Sequence, residues 1–103
     1  MLINEQIQEL IKAVPFVPVT TVSAAGKPHT IVVGQVKEVL GDDKLSLGIY
    51  KMQTTQQNVK ETGLMQVILA SMEGGPKGYR LEGKACIEGS TIVFKAEKAD
   101  PLL

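Results

Sequence analysis

The chain has 103 residues, a length typical of one domain, and its 11 basic and 11 acidic residues leave no net formal charge at neutral pH. The lysines are spread along the chain without a basic run, which disfavours a nucleic acid partner because phosphate backbones require clustered positive charge. The single cysteine, Cys86, excludes an internal disulfide and a metal site built from cysteines.

The same sequence favours a cytoplasmic protein without a membrane partner. Polar residues interrupt the apolar pattern of residues 1–14, which disfavours a signal peptide. No apolar run approaches the roughly 20 residues that a membrane-spanning helix needs. We therefore predict a single cytoplasmic domain over residues 1–103, with Cys86 as a small buried side chain in a strand.

The elements in chain order are one helix, three strands, a short helix and three more strands. Apolar residues at helical spacing predict the first helix over residues 2–14, and helix-start signals place the second at 54–62. Gly34 lies in the middle of the second strand, where glycine often marks a bulge or the close approach of a ligand. The six predicted strands cover residues 16–23, 28–39, 45–50, 64–71, 79–88 and 91–97. Residues 98–103 show no clear pattern.

Short turns between neighbouring strands indicate antiparallel pairing, because parallel neighbours need a longer crossover. Six short antiparallel strands with few helices favour a sheet that curls on itself and protects its edges. The predicted fold is therefore mainly β: a six-stranded antiparallel split β-barrel with an N-terminal helix and one short helix between strands three and four.

Two of the strands carry apolar side chains on both faces. In the fourth strand, Met65, Val67 and Leu69 lie on one face, whereas Leu64, Ile68 and Ala70 lie on the other. A small barrel covers only its interior, so the outer faces need another cover. We expect the N-terminal helix to supply part of it and a second copy of the chain to supply the rest, as a homodimer.

The start of the second helix has two interpretations. Thr54 and Gln57 have the spacing of a capping box, which would serve folding alone. The first turn, however, contains no acidic residue, and Lys51 precedes it closely. Because a helix N-terminus carries free amide groups and partial positive charge, this turn also suits an anion such as a phosphate group.

Three segments of the chain resemble elements of one known family. They are Gly26-Lys27-Pro28-His29 at the start of the second strand, residues 54–59 at the second helix, and Gly78-Tyr79-Arg80-Leu81-Glu82-Gly83 in a late strand. Their order and spacing resemble the pyridoxamine 5'-phosphate oxidase-like family of FMN-binding split barrels, in particular its short flavin-nucleotide-binding members. The resemblance covers roughly residues 14–90.

This resemblance implies a homodimer that holds FMN at the subunit interface, with the flavin along strands two and three and its phosphate at the second helix. It implies that backbone groups of the second strand contact the flavin, that the end of the third strand lines the ring and ribityl chain, and that the helix start takes the phosphate. In this order, the implied residues are Val32, Val33 and Gly34; Ile49, Tyr50 and Lys51; and Thr54, Thr55 and Asn58.

The sequence also departs from the family. Gln53 and Thr54 stand where members commonly place a basic residue, and Lys51 is the candidate substitute. A pyridoxamine phosphate oxidase needs several basic side chains for its substrate, and this chain has one arginine, Arg80, and one histidine, His29. We therefore do not expect that activity, and we assign no catalytic or metal-binding residue.

Three functions stay open from the sequence. The first is an FMN-dependent oxidoreductase or electron carrier with a small-molecule redox partner or substrate, in which the flavin does the chemistry. The second is a non-catalytic module that binds haem, a deazaflavin or another nucleotide on the same barrel. The third is a purely structural protein.

Overall fold

The structure, a computed structural model, describes residues 2–103, so Met1 of the predicted domain lies outside the described residues. It contains two helices and seven strands. In chain order they are α1 (Glu5–Ala13), β1 (Val17–Val22), β2 (Pro28–Val33), β3 (Glu38–Gly41), β4 (Lys44–Gly48), α2 (Gln53–Glu61), β5 (Leu64–Ser71), β6 (Lys77–Glu88) and β7 (Thr91–Pro101). All strands join one antiparallel sheet in the order β2-β1-β5-β6-β7-β4-β3.

The sheet curls because its two edge strands are close in sequence. Only residues 34–37 connect β2 to β3, and five Cα–Cα steps span at most about 18 Å. The edges at opposite ends of the strand order must therefore approach each other, although no strand pairing joins β2 to β3 within residues 2–103. The mainly β, antiparallel fold is confirmed, as a curled sheet that is not closed.

The predicted strand count and helix placement are wrong in detail. The strand expected over residues 28–39 is interrupted at residues 34–37 and forms β2 and β3, because the chain must cross from one sheet edge to the other there. The sheet therefore has seven strands rather than six. The second helix lies between the fourth and fifth strands rather than between the third and fourth.

The end of the chain is more ordered than its sequence pattern indicates. β7 continues to Pro101 opposite β6, and the Leu102 N–H donates to the Gly78 carbonyl at 3.0 Å. The pairing shifts register at Glu82 and Gly83. A Cβ at Gly83 would collide with the carbonyl of Lys95, so glycine permits this close approach of two backbones.

The core is mainly aliphatic, with Phe94 as its one fully buried aromatic ring among the described residues, and lies inside the curl. Val17, Val67 and Phe94 are fully buried there, and α1 buries Ile7 and Ile11 in the same cluster. α1 therefore covers the interior of the sheet. The expectation that it covers part of the outer face is wrong. None of the helices formed by residues 2–103 has the length and apolar character needed to cross a membrane.

Residues 2–103 leave the outer face of the sheet uncovered. Leu64 is 47% exposed and Ala70 is exposed, whereas Met65 on the opposite face is buried. Cys86 also lies on an outward position and is exposed, so its predicted burial is wrong. Strand alternation explains this, because the neighbours Ala85 and Ile87 are the residues that pack against the core.

Candidate functional site

A groove of about 300 Å³ lies between the end of β2 and the segment that follows β4. The end of β2 and the end of β4 come from strands near opposite edges of the sheet, so the curl of the sheet brings them together. We call this cavity the β2–β4 groove. Its lining residues are Ile31, Val32, Val33, Gly34, Gly48, Tyr50 and Met52.

Four of the nine predicted site residues therefore meet in one place: Val32, Val33, Gly34 and Tyr50. The side chains of Val32 and Tyr50 are 61% and 73% exposed, which leaves an apolar wall and an aromatic ring open to solvent. The Lys51 Nζ atom lies 5.5 Å from the centre of the Tyr50 ring. The groove thus has an apolar surface, and a cation lies near one of its lining residues, Tyr50.

Ile49 is near the groove in sequence but does not line it. Its side chain is half-buried against the core, and its N–H donates to the Ser90 carbonyl at 3.0 Å. Three lining residues were not predicted: Ile31, Gly48 and Met52. No local pattern marks them, because the groove depends on how the sheet curls.

The start of α2 lies directly after the groove, since Met52 both lines the groove and precedes the first helical residue. Met52 is the N-cap, with a left-handed backbone at φ 48° and no capping hydrogen bond from its side chain. The predicted capping box is therefore wrong, because the helix begins at Gln53 and Thr54 already lies inside it. The absence of an acidic residue from the first turn is confirmed.

The first turn of α2 leaves its backbone donors unpaired. The first amide bonded within the helix is the Gln56 N–H, which donates to the Met52 carbonyl at 3.0 Å. Across residues 2–103, no hydrogen bond uses the N–H groups of Gln53, Thr54 or Thr55. These three donors and the partial positive charge of the helix end are available to an external anion.

The three residues predicted to take a phosphate differ in their surroundings. Thr54 is exposed. Thr55 is only 1% exposed, and its buried Oγ1 has no hydrogen-bond partner among the described residues. Asn58 is buried and its Nδ2 donates to the Thr21 Oγ1 at 3.0 Å, which ties α2 to β1. The free hydroxyl of Thr55 is unusual, because buried polar groups normally find a partner.

One glutamine holds the loop between the groove and the helix. The Gln56 Nε2 donates to the Lys51 carbonyl at 2.7 Å. Lys51 and Met52 are consecutive residues with left-handed backbone, at φ 58° and 48°. Gln56 is half-buried and was not predicted, since a glutamine in a helix carries no sequence signal of such a contact.

The far end of α2 is fixed to the β1–β2 turn. The Glu61 Oε1 accepts the Ala24 N–H at 3.0 Å, and its Oε2 accepts the Gln57 amide at 2.9 Å. These hydrogen bonds, that of Ala24 first, lower the pKa of the Glu61 carboxyl. The Thr62 hydroxyl also donates to the Val22 carbonyl at 2.9 Å. α2 is thus held at its C-terminal end while its N-terminal donors stay free.

Candidate ligands for metals or haem do not gather at the groove. Within residues 2–103, no cluster of three His, Cys, Asp or Glu side chains could hold a metal ion. The only histidine of the sequence, His29, is half-buried in β2 opposite Thr21 and does not line the groove.

Solved structures of similar fold come from several bacteria. A histidine-to-alanine variant of HupZ from Group A Streptococcus matches with a TM-score of 0.83 and 19% identity, over 99% of this chain and 100% of the other. An FMN-binding protein from Syntrophomonas wolfei matches with a TM-score of 0.79 and 20% identity, over 92% and 82%. HutZ, the haem storage protein from Vibrio cholerae, matches with a TM-score of 0.69 and 12% identity, over 95% and 92%.

At these identities, the solved structures establish a shared fold. No curated protein sequence matches the chain. The family model described as pyridoxamine 5'-phosphate oxidase matches residues 3–98, nearly the whole chain. The protein is therefore a member of the pyridoxamine 5'-phosphate oxidase family.

Proposed function

We propose that this protein is a cytoplasmic FMN-binding flavoprotein, an oxidoreductase or electron carrier that acts on a small-molecule redox partner. The flavin ring occupies the β2–β4 groove and the phosphate binds at the start of α2. The observation that carries the proposal is the position of Met52, which lines the groove and also precedes three unpaired helical N–H groups.

The residues present suit both ends of FMN. The groove is lined chiefly by aliphatic side chains and Tyr50, and its volume of about 300 Å³ lies at the lower end of the range for ligand sites. β2 is an edge strand, so half of its backbone groups have no partner strand and can meet the polar edge of a flavin.

The phosphate end has a matching set of donors. The N–H groups of Gln53, Thr54 and Thr55 are unpaired, the hydroxyl of Thr55 is orphaned, and no acid opposes an anion in this turn. The Lys51 ammonium supplies positive charge. Bound FMN would supply hydride or electron transfer, while the protein holds the ring and the phosphate.

The proposal includes a homodimer with the flavin at its interface. The outer face of the sheet exposes Leu64 and Val32, and the latter also lines the groove. Contact between two copies through this face would bury these apolar side chains and wall the open side of the groove. In light scattering at micromolar concentration, we expect twice the 11.1 kDa mass of the chain. A monomer would contradict this part of the proposal.

A haem-binding module is the second candidate, because the fold is shared with a haem storage protein. FMN is favoured over haem because the single histidine, His29, lies outside the groove and the start of α2 suits a phosphate. The visible spectrum distinguishes the two, since a flavin gives two bands and haem gives a Soret band.

The test begins with the visible spectrum of the purified protein and continues with FMN added to ligand-free protein. We expect a flavin spectrum, quenched flavin fluorescence on binding and a melting temperature that rises with FMN concentration. A colourless protein whose melting temperature does not respond to FMN would refute the proposal. A Soret band together with thermal stabilisation by haemin alone would favour the second candidate.

A further inference from the structure

We propose that Gln56 is a positioning residue that makes the site select phosphorylated over unphosphorylated flavin. Its side-chain amide holds the loop of residues 50–52 in the conformation that presents Lys51 and the start of α2 to the phosphate. The inference rests on the proposed FMN site and deepens it. Gln56 itself does not line the groove.

The hydrogen bonds of the loop carry the argument. The loop of residues 50–52 accepts two hydrogen bonds from the part of the chain that the structure describes, and both come from Gln56. Its backbone N–H donates to the Met52 carbonyl at 3.0 Å, and its side-chain Nε2 donates to the Lys51 carbonyl at 2.7 Å. The first bond belongs to any helix start, whereas the second depends on the side chain of Gln56.

The loop needs such a hold because its backbone is unfavourable. Lys51 and Met52 both have left-handed backbone, which side chains with a Cβ rarely adopt in sequence. Strain of this kind persists only where surrounding contacts fix it. Without the amide of Gln56, we expect the two residues to leave the left-handed region for part of the time.

Relaxation of this pair would act mainly on the phosphate end. Lys51 is exposed and its ammonium has no carboxylate partner among the described residues, so its position depends on the loop, which carries both Lys51 and the Tyr50 ring 5.5 Å from the ammonium. The unpaired N–H groups of Gln53 and Thr54 directly follow the strained pair. Riboflavin has the same ring but no phosphate, so its binding should depend little on this geometry.

The chain offers a matched control in the next residue. Gln57 lies in the same helix, and its amide donates to Glu61 at 2.9 Å rather than to the loop. Gln56→Met removes the donor and keeps the length of the side chain, and Gln57→Met makes the same change where the loop is not touched. Methionine and glutamine have similar helix propensity, so α2 should form in both variants.

The experiment measures FMN and riboflavin affinity for wild type, Gln56→Met and Gln57→Met, together with the backbone dihedrals of Lys51 and Met52 by NMR in the ligand-free proteins. We expect Gln56→Met to weaken FMN about tenfold and riboflavin less than about threefold, the tenfold change corresponding to about 1.4 kcal/mol. The left-handed pair should relax in this variant alone. Gln57→Met should retain the wild-type ratio of the two affinities.

Two failures are distinguishable. Wild-type protein that binds FMN no better than riboflavin would refute the proposed phosphate site and this inference with it. Wild-type protein that prefers FMN, with an unchanged preference and unchanged dihedrals in Gln56→Met, would overturn the role of Gln56 alone. Should Gln56→Met not fold, Gln56→Glu serves instead: its ionised carboxylate cannot donate, and unchanged dihedrals of Lys51 and Met52 would again overturn the inference.

Discussion

The two helices have the same length, nine residues, yet they begin in opposite ways. At α1, the Asn4 side chain accepts the Ile7 N–H at 3.0 Å, and Glu5 places a negative charge in the first turn. The Asp43 Oδ1 also accepts the Ile3 N–H at 3.0 Å, just before the helix. The start of α2 has no side-chain cap and no acidic residue in its first turn.

The difference indicates which helix start serves folding alone. At α1, the Asn4 side chain accepts the Ile7 N–H, although the N–H groups of Glu5 and Gln6 have no partner within residues 2–103, and the helix buries Ile7, Leu10 and Ile11 in the core. α2 keeps three unpaired N–H groups, an orphaned hydroxyl on Thr55 and a strained loop before it. Unpaired polar groups and strained backbone lower stability. Such features are expected where a bound ligand supplies the missing contacts.

The largest expected effect comes from giving α2 the acid that α1 already has. Thr54→Asp places a carboxylate in the first turn, and at about 6 Å and an effective dielectric constant of about 20 it repels each phosphate charge by about 3 kcal/mol. FMN affinity should therefore fall about 100-fold or more. The ligand-free protein should gain about 0.5 kcal/mol of unfolding free energy, because a negative charge at this end favours the helix.

Thr54→Asn is the matched control, since asparagine has the shape of aspartate without its charge. It should keep FMN affinity within a few-fold of wild type. Titration calorimetry and thermal melts of both variants measure the two quantities. An equal loss of FMN affinity in Thr54→Asn and Thr54→Asp would show that shape rather than charge decides the effect.

Removing backbone strain from the loop before α2 should likewise raise the free energy of unfolding while it weakens FMN binding. Lys51→Gly relieves a left-handed backbone that costs about 1–2 kcal/mol for a residue with a Cβ, and part of this gain is lost to the greater freedom of glycine in the unfolded chain. We expect a gain of about 1 kcal/mol, or roughly 4–8 °C in Tm for a domain of this size. FMN affinity should fall several-fold, because the ammonium is lost.

Lys51→Ala removes the same charge but keeps a Cβ, so it does not relieve the strain. It should lose FMN affinity with no gain in Tm. Thermal melts and FMN titrations of both variants provide the comparison. A lower Tm for Lys51→Gly than for Lys51→Ala would show that the loop is not strained.

Local rules predicted most of the fold because its hairpins are short and its strands are rich in β-branched residues. The Asp42-Asp43 turn between β3 and β4 is an example, since both residues have the positive φ that a tight hairpin needs. The break at residues 34–37 escaped the same reasoning. Apolar residues continue through Val36 and Val39, and only the curl of the whole sheet requires the strand to stop.

The candidate site was less predictable, because its walls come from distant parts of the sheet. The family resemblance led to Val32, Val33, Gly34 and Tyr50, all of which line the groove. Met52 escaped prediction because helix-start rules select a hydroxyl residue such as Thr54, whereas the structure caps α2 with a left-handed methionine. Capping rules describe helix starts whose N–H groups bond to a side chain. They fail at Met52, which caps α2 without a side-chain hydrogen bond.

The start of α1 provides the opposite test. Asn4→Ala removes the hydrogen bond to the Ile7 N–H and should cost about 1 kcal/mol of unfolding free energy. FMN affinity should stay at the wild-type value, because the start of α1 does not line the β2–β4 groove. Asn4→Asp preserves the cap and should restore stability in denaturant titrations. Weaker FMN binding in Asn4→Ala would contradict the separation between the two helix starts.

The smallest effect concerns the opposite end of α2, where Glu61 is tied to the β1–β2 turn. The Ala24 N–H and then the Gln57 amide lower the pKa of this carboxyl from the usual 4.5, so the unfolded state binds more protons and stability rises with pH through this range. The contribution is complete above pH 4.5 and is lost as the pH falls through the lowered pKa. In urea titrations, the stability difference between wild type and Glu61→Gln should therefore shrink on acidification. Gln57→Met, which keeps the Ala24 hydrogen bond, should retain most of the pH dependence, and a difference that grows at low pH would contradict the assignment.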